Sequence, residues 1–307
     1  MRLLAALAAL ALAQPSAAQE GSFERGFELG LRYWLSSGEN RFSHNAQGAD
    51  PTLGNPTSIL TYEDLRAHSL ELHGRSDVGN GWFVKGNAGF GVIRKGSFDD
   101  EDYAAGQVKF LDSTSEVRDE ILHYLTIDLG RVIWAGAGGR STLGMFAGFQ
   151  QWIERVDAYG AAFTVDTFGI AADVPGGVLA ITNQVRWRSL RVGLAGRVQV
   201  GQATRIVADL ALIPYSMLRN EDSHHLRTDP ADLGPVPNVI STGRGNGVQL
   251  DLEVRHTVYR NTELGIGVRH WQLRSTDAEV SIGGLLLPVN ELETRRTGVT
   301  ASLTARW

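Results

Sequence analysis

The sequence predicts an all-β fold, a transmembrane antiparallel β-barrel of about ten strands with long extracellular loops. Three observations predict it: hydropathy that alternates with period two, connections that alternate between short and long, and an export signal at the start of the chain. Composition narrows the rest. With 43% hydrophobic residues over 307 positions the chain is too apolar to be disordered. The absence of Cys excludes a disulfide scaffold, a thiol enzyme and a Cys-ligated metal site. The net charge of -5, with Lys and Arg scattered, gives no basic stripe for nucleic acid.

The first element is the leader. Met1-Arg2 supplies positive charge, Leu3 to Ala13 an apolar stretch, and Ser16-Ala17-Ala18 the small residues of a cleavage site, which places a signal peptide over 1–18 and one barrel domain over 19–307. The apolar stretch falls short of the ~20 residues that a membrane-crossing helix needs. Strands come next. Phe27, Leu29, Leu31 and Tyr33 alternate with Glu28, Gly30 and Arg32; Val248, Leu250, Leu252 and Val254 alternate with Gln249, Asp251, Glu253 and Arg255. About ten such stretches lie near 27–36, 64–74, 81–95, 120–130, 142–157, 180–191, 192–218 in two pieces around Gly201, 247–260, 262–274 and 294–307, the seventh strand beginning near Arg205. Short turns join some of them, as at Ser76–Asn80, Gly201–Thr204 and Arg260–Thr262; long polar loops are expected at about 37–63, 96–117, 159–178, 219–246 and 275–293.

Long loops at one end, short turns at the other and an export signal describe an outer-membrane barrel with lipid outside and a polar interior. Closure is obligatory, because an open strand edge in lipid leaves N–H and C=O groups without partners. Interior charges such as Glu28, Lys85, Asp251, Glu253, Arg255, Arg269 and Arg306 are expected to form a plug, since side chains fill most of a barrel this narrow.

With the N-terminus on the periplasmic side, the loops after odd-numbered strands face outward. Asp99-Asp100-Glu101-Asp102 follows the third strand and Asn220-Glu221-Asp222-Ser223-His224-His225 the seventh. Asp100 and Asp102 share a strand face, as do Asp222 and His224. Ten strands at ~4.8 Å spacing and ~40° tilt enclose a ring roughly 20 Å across, leaving a gap of about 8 Å between opposing side chains. A His takes a proton from water near neutral pH, and a neighbouring carboxylate stabilises the cation that forms. Of two adjacent carboxyls, one retains a proton. Taken singly, Asp-x-Asp reads more readily as a solvated loop or a divalent-cation contact; its occurrence together with Asp-x-His on opposite rims favours catalysis. Ser223 is a weaker nucleophile candidate, because it points away from the face of Asp222 and His224.

The segment Gly96-Ser97-Phe98-Asp99-Asp100-Glu101-Asp102-Tyr103 resembles the Asp-x-Asp-aromatic motif of the omptin family of outer-membrane proteases, and Asp222-Ser223-His224 resembles its Asp-x-His motif. Leu143–Gln150 is similar to that family's fifth strand, and Trp307 to the aromatic terminus of outer-membrane barrels. The resemblance implies a ten-stranded endopeptidase that cleaves beside basic residues with a water held between an Asp–His pair and an Asp pair, without a metal or other cofactor. It also implies dependence on lipopolysaccharide. On that basis Asp100, Asp102, Asp222 and His224 are the expected catalytic residues, a peptide or protein the partner, and the cell outer membrane the location, with a monomer expected. Omptins carry an acid two residues before the catalytic Asp; here that position is Asn220, and Glu39 is the expected second specificity residue. A non-catalytic barrel, such as a small porin or surface-binding protein, is the rival reading, and a lipid-modifying hydrolase the third.

Overall fold

The computed structural model describes residues 26–307 apart from Asp119 and Ile170, so the leader expected over 1–18 lies outside the described residues. The strands are β1 (Gly26–His44), β2 (Ser58–Gly79), β3 (Trp82–Ala104), β4 (Val108–Val117), β5 (Glu120–Ala135), β6 (Thr142–Asp166), β7 (Val174–Val200), β8 (Thr204–His224), β9 (Val239–Tyr259), β10 (Thr262–Ile282) and β11 (Leu285–Arg306). All pairings are antiparallel, and β1 pairs with both β2 and β11, which closes the ring. β4 and β5 each lie between β3 and β6, so they are the outer and inner lengths of one interrupted strand. The ring therefore has the expected ten staves.

The loops are not as expected. Most of the segments assigned to long polar loops are strand, because the staves run far past the bilayer: β7 alone has 27 residues, against the ~9–11 that a tilted strand needs to cross hydrocarbon. Beyond the membrane both faces can be polar, so period two fades from the sequence while the backbone ladder continues. Turns at the outer end are short at Ala105-Gly106 and Gly283-Gly284, where positive φ angles suit glycine. Longer outer connections remain at 45–57 and 225–238.

Across the bilayer the two faces differ as the pleat requires. Leu29, Leu31, Leu70, Leu72, Leu250 and Leu252 point outward and are exposed, and Glu28, Arg32, Glu71, Arg205, Glu253 and Arg269 point inward and are buried. The interior is filled by ion-pair networks. Arg32 bridges Glu71 at 2.6 Å and Glu253 at 2.9 Å. Arg205 bridges Glu28 at 2.8 Å and Glu263 at 2.6 Å, and Lys85 reaches Asp209 at 2.6 Å. Breaking one such buried pair leaves an uncompensated charge, at a cost of about 3–5 kcal/mol.

Above this plug lies an aromatic layer. Trp34, Trp152 and Trp271 are fully buried and Tyr124 nearly so; Trp271 meets Trp34 at 5.5 Å, Tyr124 at 5.0 Å and Trp152 at 5.7 Å between ring centroids. The Arg269 guanidinium lies 4.6 Å from the Trp271 ring and 4.9 Å from the Trp34 ring while pairing with Glu71 and Asp251. Next above, Arg296 grips Glu154 at 2.8 and 3.1 Å. Gly38 makes room for it, since a Cβ there would lie 2.6 Å from its Nη2.

Several staves change parity on the way up, β2, β3 and β8 among them. In β3 the inward side chains are Phe83, Lys85 and Ile93, then, past exposed Arg94 and Lys95, Phe98 and Asp100. In β8 the inward set passes from Arg205, Ala211 and Ile213 to Ser216, Leu218, Asn220 and Asp222 across Pro214-Tyr215, where the register with β9 slips. β2 switches at Asp64, which has φ 49°. Each is a bulge that re-aims the side chains beyond it. Leu252→Arg, on the lipid face, should lower the heat-modifiable folded fraction in vesicles, at a cost of ~2–4 kcal/mol near the midplane. Inward Asp251→Asn, which leaves Arg269 its pair with Glu71, should be tolerated better; equal effects would contradict the assignment of faces.

Candidate active site

The outer ends of β3 and β8 lie four staves apart in the ring of ten, so their inward side chains face each other across the mouth. β3 contributes Asp100 and Asp102, β8 contributes Asn220, Asp222 and His224. Nε2 of His224 lies 3.5 Å from Oδ2 of Asp222, whose side chain is only 3% exposed. Asp222 Oδ1 is buried without a hydrogen-bond partner, so one acceptor of the pair is left for the cleft.

The four groups feel one another electrically. Burial, then the charge of Asp102, raises the Asp100 carboxyl to about 7; His224 acts in the opposite sense and Asp222 in the same one. Asp102 is also raised, mainly by burial, with a hydrogen bond from Ser58 working against it. Burial opposes charge on His224, yet its hydrogen bond with Asp222 and the charges of Asp222 and Asp100 lift its pKa above the usual value. Near neutral pH the cleft thus keeps a proton to share among carboxyl and imidazole, and those protons belong to the cluster more than to any one residue. Such an array suits acid–base chemistry on a bound water.

Several neighbours were not legible in the sequence. Ser58 sits directly opposite Asp102 in the β2–β3 ladder. Asn238 holds the end of β8: its Oδ1 accepts the His224 N–H at 2.9 Å, and its Nδ2 donates to the carbonyls of His224 at 3.2 Å and Gly234 at 3.1 Å. Tyr62, stacked on Phe98 at 4.3 Å between centroids, is buried beneath the acids and feels the charges of Asp222 and Asp100. His225 turns the other way and meets Thr182 Oγ1 at 2.9 Å, which separates it from His224. Glu39 does not join the group. It lies on the outward face of β1 and is ion-paired with Arg295, while its neighbour Asn40 points inward.

Asn238→Ala should free the turn beyond β8. Each hydrogen bond lost contributes about 1 kcal/mol, so amide exchange at His224 and across 225–234 should quicken about tenfold or more, measured by hydrogen exchange with mass spectrometry. Unchanged exchange there would show that the turn is held by other contacts.

No family model and no curated protein matches the sequence. Among solved structures, the chain is similar to the outer membrane protease OmpT of Escherichia coli, with a TM-score of 0.76 at 12% identity over 96% of this chain and 100% of that one. A looser likeness, with a TM-score of 0.38 at 10% identity over 100% of this chain and 95% of that one, is to the translocator domain of the autotransporter NalP from Neisseria meningitidis. The chain is therefore a closed transmembrane-type β-barrel of ten staves, with a fold similar to that of the outer-membrane protease.

Proposed function

We propose that the protein is an omptin-like endopeptidase of the outer membrane, hydrolysing peptide bonds at the cell surface with Asp222, His224, Asp100 and Asp102 as its catalytic residues. One observation carries this reading: an Asp–His pair and an Asp pair, reached from opposite staves, share a single electrostatic cluster at the open mouth of the barrel.

In the mechanism this arrangement supports, a peptide lies across the mouth with a water between His224 and Asp100. His224, turned toward Asp222 through Nε2, takes a proton from the water through its other ring nitrogen, and the hydroxide formed attacks the scissile carbonyl carbon. The carboxylate of Asp222 stabilises the imidazolium. Protonated Asp100 hydrogen-bonds the carbonyl oxygen as negative charge develops there, and Asp102 and burial together keep that proton in place. Collapse of the tetrahedral intermediate breaks the C–N bond, and the imidazolium returns its proton to the departing amine. A porin role finds little support, since the lumen beneath the site is filled by paired charges and stacked rings.

His224→Ala should reduce peptidase activity by ~10²–10⁴ while leaving the heat-modifiable folded form intact. The pH profile is a second test. Activity needs neutral His224 and protonated Asp100, so it should rise as pH climbs through the His224 pKa, above the ordinary 6.5, and fall as Asp100 ionises, with a pKa of about 7. In Asp100→Asn the alkaline limb should disappear. The acid limb should persist, because it is set by His224 and Asp100 is already protonated where that limb falls. A fully active His224→Ala protein would overturn the reading.

A further inference from the structure

Below the dyad, on the inward faces of β1–β2 and β8–β9, lie two cross-strand pairs of uncharged polar residues. Asn40 and Tyr62 are direct partners on β1 and β2, and Asn220 and Ser241 are direct partners on β8 and β9. All four point inward and are buried. Asn220 lies two residues before Asp222 on the same strand face, one step deeper than the dyad. Tyr62 feels the charge of Asp222, which ties the β1–β2 side to the β8–β9 side of one cleft.

Three of these side chains carry unsatisfied polar atoms: Asn40 Oδ1, the Tyr62 hydroxyl and Ser241 Oγ are buried without a hydrogen-bond partner. The Asn40 amide is oriented by Glu154, whose Oε2 receives its Nδ2 at 3.2 Å, so the oxygen is the end left over. The set is one obligate acceptor and two hydroxyls that both donate and accept. The carboxylate nearest to Asn40 is already committed: Glu154 takes Arg296 at 2.8 and 3.1 Å and the Trp152 indole N–H at 3.0 Å. Glu39 is on the other face of the wall. The other carboxylates that act on Tyr62 are engaged elsewhere or belong to the catalytic cluster: Asp157 pairs with Arg155 at 3.4 Å, and Asp222 and Asp100 face His224. The buried Arg296, held by Glu154 beside Asn40, disfavours a second cation there.

Resting on the endopeptidase reading, we infer that this pocket receives an uncharged carboxamide side chain of the substrate, glutamine or asparagine, in place of a basic one. An amide group brings the two complementary functions together. Its NH₂ donates to Asn40 Oδ1, and its carbonyl accepts from the Tyr62 or Ser241 hydroxyl. A site with such buried polar atoms discriminates against side chains that leave them unpaired, and a buried cation without a partner is penalised more strongly still.

The test uses the full mature chain refolded in vesicles containing lipopolysaccharide, with folding checked by heat-modifiable migration. Quenched fluorescent peptides differ only in one central residue: Gln, Asn, Arg, Lys or Ala. The wild type should cleave the Gln and Asn peptides with kcat/KM about tenfold or more above the Arg and Lys peptides. The cleavage-deficient His224→Ala variant should show the same order in binding by fluorescence polarisation. Asn40→Asp and Asn220→Asp should each move both ratios toward Arg, and the double variant furthest. Arg or Lys peptides cleaved or bound as well as Gln by the wild type, or ratios indifferent to both substitutions, would overturn the pocket while leaving hydrolysis standing. Selective amide binding by His224→Ala with no cleavage of any peptide by the wild type would sink the hydrolase reading and uphold the pocket. Failure of every peptide to be cleaved or bound would remove both.

Discussion

The pleat of a closed ring is the constraint on which the rest of this molecule depends. Every stave has two faces, closure leaves no edge, and each side chain therefore belongs to the lipid side or to the lumen with no third choice. A register slip of one residue exchanges the two sets. Through the bilayer that rule keeps Leu250 and Leu252 in lipid and Asp251 and Glu253 in the plug. Above the bilayer it would, if carried on unchanged, turn Asp100 and Asp102 outward, since Lys85, Asn87 and Ile93 set an odd-numbered inward frame in β3. The interruption at Arg94-Lys95 resets the frame, and Pro214-Tyr215 does the same for Asp222 and His224 in β8. Two extra residues, in staves that are not neighbours in the ring, turn the four polar groups toward the same mouth.

What those groups can do depends on what lies under them. Arg296 with Glu154, and then Trp34, Trp271, Trp152 and Tyr124 around Arg269, give the cleft a packed and fully buried base. Water is excluded from below, so the acids at the mouth are solvated from one side only. That one-sided burial is the leading cause of the raised Asp100 carboxyl, with Asp102 adding to it. The same burial acts against charge on His224 but is outweighed there by its carboxylate neighbours. One environment thus pushes an acid and a base toward the same pH range.

The stave count, the two faces and the ion-paired interior were legible because period two is strongest where one face meets hydrocarbon and the other meets charge. Past the lipid boundary the contrast vanishes, which is why segments such as 96–104 and 219–224 read as loop and are strand. The two acid-bearing motifs were found by their composition, but the face they occupy was not. Pro214, which has no N–H to give the ladder, marks the bulge in β8 and is passed over by a reading of hydropathy alone; Arg94-Lys95 carries no such mark, and the pairing that reveals that slip lies in the neighbouring strand. The same gap explains Glu39. β1 has no bulge below Ser43 in its ladder with β11, so the acid stays on the outer face and Asn40 takes the inner one. Asn238 and Tyr62 act through distant partners, and no local pattern marks them.

The interlocked charges from Arg32 to Glu263 have a further consequence, which concerns the cell and not the site. The outer membrane is a permeability barrier, and every wide barrel set into it is a potential leak. Because this lumen is shut by ion pairs that are costly to separate, the surface cavity can be displayed in many copies without admitting detergents or small toxic solutes. Abundance at the surface is thereby uncoupled from the integrity of the envelope.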